Sequence, residues 1–148
     1  MNTLISRKKT QAGSVLLEAL IAMLIFSMGI LAIVGLQAAS IKTASDAKYR
    51  SDAAMLANQL IGQMWVSNRT TIPAQFSSPA GAAYVLWAAD VQAALPGATA
   101  NMPNVTIATP PIVIPTATPL HTVSIILRWQ APGETTVHSY STSADINE

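Results

Sequence analysis

From Ser14 to Ile41 the chain is apolar around the whole circumference of a helix. Hydrophobic residues fill 21 of these 28 positions, and no charged residue occurs from Ala19 to Ile41. A bilayer core about 30 Å thick is crossed by about 20 apolar helical residues, so this run is long enough to span it. Beyond it the pattern narrows to a single stripe. Tyr49, Ala53, Leu56, Leu60 and Met64 recur at helical spacing, which predicts an amphipathic continuation over 42–68 that stops near Pro73. A helix from Ser14 to Ser67 would be about 81 Å long at 1.5 Å per residue.

After a Pro/Ser/Gly/Ala connection from Ile72 to Ala83, the residues Tyr84, Trp87, Ala88, Val91 and Leu95 mark a short second helix, bounded by Pro79 and by Pro96-Gly97. The period then changes to two. Val105-Thr106-Ile107, Ile112-Val113-Ile114, Val123 to Gln130 and Thr135 to Thr142 read as strands, with Ala131-Pro132-Gly133-Glu134 turning the last two into a hairpin. Val123, Ile125, Leu127 and Trp129 share one strand face, expected to lie against the long helix. Pro103, Pro110, Pro111, Pro115 and Pro119 mark loops and strand edges rather than a polyproline ligand. The fold class expected is α+β: a long N-terminal helix packed on a C-terminal antiparallel sheet.

Composition sharpens the membrane reading. Of 148 residues, 51% are hydrophobic and only 10% charged, against about 25% in ordinary soluble domains. Removing the apolar span leaves about 54 hydrophobic residues in 120, near 45%, an ordinary share. The net charge of +1 and the scattered Arg50, Arg69 and Arg128 argue against a nucleic-acid surface. Without cysteine there is no disulfide and no thiolate metal site. Arg7, Lys8 and Lys9 precede the span, whereas mixed charges follow it, so the N-terminus is expected in the cytoplasm and the rest of the chain in the periplasm. A secretory signal fits poorly, because its apolar region should run only about 7–15 residues.

Glu18 lies inside the apolar run, where an ionised carboxylate costs about 2.5–3.5 kcal/mol. It needs a cation, or an interfacial position for its head group. The stretch from Arg7 to Leu20 resembles the class III leader of type IV pilins: a short basic leader, Gly13, a cleavage point, then an apolar helix with Glu at its fifth residue. The resemblance implies that a prepilin peptidase removes residues 1–13 by cutting between Gly13 and Ser14 and N-methylates Ser14. Most such chains begin their mature form with Phe; this one begins with Ser14. Loss of the leader's three cations would leave 5 Lys+Arg against 7 Asp+Glu. The resemblance also implies that Glu18 serves subunit assembly, meeting the new amino terminus of a neighbouring subunit and setting docking register.

Within that superfamily the chain is most similar to PilV-type minor pilins. The similarity rests on the segments 13–20, Ser27-Met28-Gly29-Ile30-Leu31, Tyr49-Arg50-Ser51-Asp52-Ala53, Leu56-Ala57-Asn58-Gln59-Leu60 and Leu95-Pro96-Gly97-Ala98. It implies a non-enzymatic subunit acting in pilus assembly at an initiating tip complex. Its implied partners are the prepilin peptidase, other minor pilins and pilus subunits, an inner-membrane assembly platform and a tip adhesin. It would sit in the inner membrane before assembly and on the cell surface after it. Two rival readings share part of this pattern: a minor pseudopilin of a type II secretion system, and a membrane-anchored periplasmic enzyme or binding domain.

The residues give no sign of catalysis: no phosphate-binding glycine loop, no His-Glu-x-x-His and no nucleophile elbow. No cofactor or metal set is expected. His121 and His138 read as strand-surface histidines, with 138 opposite 127 and 121 opposite 144 if the hairpin turns at Pro132-Gly133. No acid is evident to orient His138 beside Ser139 and Ser141. Trp65, Trp87 and Trp129 read as core or membrane anchors.

Overall fold

The computed structural model describes residues 12–108 and 121–146. The basic leader up to Gln11, the Ile112-Val113-Ile114 run and the prolines at 110, 111, 115 and 119 lie outside the described residues. The chain divides into two compact units, Met1–Thr43 and Ala44–Glu148.

One α-helix, α1, runs unbroken from Ala12 to Val66. In the first unit its apolar side chains are exposed: Leu24 is 61% exposed and Leu36 71%. This helix is long and apolar enough to cross a membrane, and none of its most apolar stretch is buried. Two of its hydroxyls bond back to the helix. Ser27 Oγ donates to the Met23 carbonyl at 2.7 Å and Thr43 Oγ1 to that of Ala39 at 3.1 Å, the arrangement an apolar medium favours because no water is there to bond them.

In the second unit α1 is amphipathic. Ala53, Leu56, Ala57, Leu60 and Met64 are buried, with Tyr49 and Ile61 packed against them, as the helical stripe predicts. Past Val66, Asn68 caps a 3-10 turn over Arg69–Thr71, its Oδ1 accepting from the Thr70 amide at 3.1 Å. The expected linker then contributes its own element, the five-residue helix α2 (Ile72–Phe76), which buries both terminal side chains. Pro73 in the first turn of α2 explains why a proline here starts a helix rather than ending one. Helix α3 (Ala82–Ala94) follows a cis Ser78–Pro79 bond and buries Tyr84, Trp87, Ala88 and Val91. Gly81, before α3, is required by crowding: a Cβ there would sit 2.3 Å from the Gln75 carbonyl oxygen.

Strands β1 (Asn104–Ala108), β2 (His121–Trp129) and β3 (His138–Ile146) form one antiparallel sheet in that order. Val123, Ile125, Leu127 and Trp129 point together into the core, as the period-two pattern predicts. Polar ends of core side chains find backbone partners. Trp87 Nε1 donates to the Leu56 carbonyl at 2.9 Å and the Tyr84 hydroxyl to that of Pro103 at 2.7 Å. The order of elements, a long apolar helix followed by a small antiparallel sheet, is α+β and matches the pilin layout.

The hairpin register differs from the expected one by two residues. His138 pairs with Trp129 rather than Leu127, and His121 with Ile146 rather than Ala144. The turn at Ala131–Glu134 forms as expected, with the Glu134 amide donating to the Ala131 carbonyl at 3.1 Å and Gly133 at φ +82°. Residues 135–137, however, stay out of the ladder, and β3 begins at His138 rather than Thr135. A shift of two preserves side-chain faces, so the core assignment survives.

Candidate functional site

Gly13 and Ser14 both lie within α1, and Glu18 follows Ser14 by one helical turn. An added Cβ at Gly13 would meet nothing within 4 Å. The chain itself therefore does not demand glycine at this position.

Ser14 and Glu18 share one face of α1 with Leu17, Ile21, Ala22 and Ile25. The i,i+4 spacing would place an amino group on Ser14 within reach of the Glu18 carboxylate. Glu18 is the one acid of α1 ahead of Asp46. Its surroundings along the helix are apolar and exposed.

The histidines depart from their expected surface positions. His121 is buried, 3% exposed, with Nε2 lying 3.0 Å from the Arg69 carbonyl oxygen. Because that oxygen can only accept, Nε2 carries the proton. His121 opens β2 on the same face as Val123 and Ile125, paired with Ile146, and strand alternation turns it to the core. His138 is half-buried, and its Nε2 lies 2.7 Å from Glu134 Oε2. The half-buried Glu134 thus lies against His138, while strand alternation turns Ser139 to the other face. The His138 ring stacks on the Trp129 indole, with centroids 5.8 Å apart and planes 16° apart. Trp87 and Trp129 are core residues as expected, while Trp65 is 45% exposed.

Sequence reasoning also missed a juxtaposition of donors. Asp46 of α1, Glu134 of the hairpin turn and His138 of β3 each offer a ligand atom within 4.8 Å of the others. These residues stand far apart in the sequence, and no spacing motif connects them. Among the described residues this is the group of metal-ligating type that comes together.

Compared with known proteins, the chain matches no family model, no curated protein and no solved structure.

Proposed function

We propose that this chain is a minor pilin subunit of the PilV type, cut between Gly13 and Ser14, N-methylated on Ser14 and drawn from the inner membrane into a type IV pilus or its initiating tip complex. One observation carries the reading: α1 is a single helix whose exposed, apolar front half holds one acid, Glu18, on the same face as Ser14. Cleavage would create an amino cation where the apolar helix begins, and that cation is the natural partner for the carboxylate. In this reading a subunit leaving the bilayer exchanges lipid contacts for helix–helix contacts at small net cost. The pairing of Glu18 with a neighbour's amino terminus fixes register, because misaligned docking leaves two charges unpaired in an apolar medium. The expected orientation has the leader cytoplasmic and the Ala44–Glu148 unit periplasmic. The partners are the prepilin peptidase, other minor pilins, the assembly platform and, at the tip, an adhesin.

The test is the intact mass of the protein from cells with and without prepilin peptidase. Loss of residues 1–13 with gain of one methyl group, dependent on the peptidase, supports the proposal. A retained N-terminus in peptidase-active cells overturns it and favours a membrane-anchored periplasmic domain. In the same cells Glu18→Ala is expected to be cleaved normally yet excluded from sheared filaments, and normal incorporation would remove the pairing role. Co-purification with secretion components in place of pilus subunits would assign the chain to a pseudopilus.

A further inference from the structure

We propose that Asp46, Glu134 and His138 form a binding site for a divalent transition cation of the zinc type, which clips the β2–β3 hairpin to α1. The inference is independent of the pilus reading. Three separate elements converge on the site, each with one half-buried side chain, and their ligand atoms lie within 4.8 Å of one another. Two carboxylates and one imidazole form a mixed oxygen–nitrogen set. Zinc accepts such a set with three protein ligands and a water in the fourth position.

Two of the three ligands are held in place by their surroundings. Glu134 is fixed by its backbone, the amide donating to the Ala131 carbonyl at 3.1 Å and the carbonyl accepting from Gln130 Nε2 at 2.6 Å. The His138 ring plane is fixed by stacking on Trp129. The 2.7 Å approach of His138 Nε2 to Glu134 Oε2 holds a proton between them. A cation bonded to both atoms takes the place of that proton, and the ligands lose it on binding.

The third ligand supplies an independent sign. Asp46 Oδ1 is buried and has no hydrogen-bond partner. Trp129 Nε1, in the ring stacked on His138, is likewise buried and unbonded. Buried polar atoms are rarely left unsatisfied, because each costs about 1–3 kcal/mol, so Asp46 keeps acceptor capacity that a cation shared with Glu134 and His138 would use.

The clip would do in this chain what a disulfide does elsewhere. It would join α1 to the last hairpin in a protein that has no cysteine. Its formation would stabilise the folded unit in proportion to ligand excess over Kd.

The experiment is titration of Zn2+, with Ca2+ and Mn2+ in parallel, into the untagged, metal-stripped full-length protein in nonionic detergent, followed by calorimetry and thermal unfolding. One Zn2+ per chain is expected, and at hundredfold excess over Kd the Tm should rise by on the order of 10 °C. Asp46→Asn, Glu134→Gln and His138→Gln should each weaken binding by about tenfold or more. Near-UV circular dichroism of the metal-free variants, expected to match wild type, shows that they fold. Absence of saturable 1:1 uptake by wild type, or equal uptake by a folded triple variant, would overturn the proposal. Preferential uptake of Ca2+ would overturn the assignment to the zinc class.

Discussion

The two halves of α1 are built from the same backbone geometry and meet different solvents. Before Thr43 the apolar side chains are exposed around the helix. After it, Ala53, Leu56, Ala57, Leu60 and Met64 are buried in one core cluster with side chains of α2, α3 and β2. The lesson is that hydrophobicity stabilises this protein in two currencies. Burial of a large apolar side chain in the second unit contributes about 1.5–3 kcal/mol to folding. The same chemistry in the first unit contributes to partitioning into lipid or against other helices, and leaves folding of the second unit untouched.

The sharpest way to break this contrast is a pair of truncations. Trp87→Ala removes a fully buried ring and its hydrogen bond to the Leu56 carbonyl, and should cost about 3–5 kcal/mol of unfolding free energy. Leu24→Ala, at 61% exposure in the first unit, should change the same quantity by less than about 0.5 kcal/mol. Urea unfolding of both variants in detergent, followed by near-UV circular dichroism, measures the difference; equal losses would abolish the distinction. A charge in the first unit probes the other currency. Leu24→Arg should disfavour membrane insertion by about 2.5–3.5 kcal/mol, visible as a drop in the integrated fraction in a glycosylation-reporter assay, with the urea midpoint unchanged.

The smallest effect concerns Tyr84. Burial raises the pKa of its hydroxyl above the ordinary tyrosine value. Unfolding releases a phenol that ionises near pH 10, so above that pH the folded state holds a proton that the unfolded state loses. The corresponding stability is complete below about pH 10 and is lost as pH rises toward the folded value. Tyr84→Phe removes the hydrogen bond to the Pro103 carbonyl, at a cost of about 1 kcal/mol near neutrality. It should also flatten the alkaline decline, and urea midpoints at pH 8 and pH 10.5 for both proteins provide the check.

Much of the fold could be read from periodicity alone. The stripe from Tyr49 to Met64, the buried face of α3 and the alternate residues of β2 each repeat often enough for burial to impose a pattern. Helix α2 was hidden because five residues containing a proline are too few to show a helical period; Ile72 and Phe76 are buried through tertiary contact. The hairpin was placed two residues out because the Ser/Thr-rich stretch before Tyr140 looks equally strand-like inside and outside the ladder. Register there is set by partners on β2. The burial of His121 follows instead from strand alternation with Val123, since β2 begins two residues before the apolar run. The proposal for Gly13, Ser14 and Glu18 rests on a fixed spacing within one segment, whereas Asp46, Glu134 and His138 meet only after the chain has folded.

Because the second half of α1 is the spine of the core, the globular unit cannot come apart without stripping tertiary support from Ala53 to Met64. The first half has no such dependence, since lipid or detergent satisfies its side chains and its backbone bonds are internal. The denatured ensemble of this protein is therefore a tethered one. It is a disordered tail anchored to a persistent helix, with residual helicity that survives the main transition and a smaller change in exposed surface than the chain length suggests. Its refolding begins from a chain already fixed at one end of its own core helix.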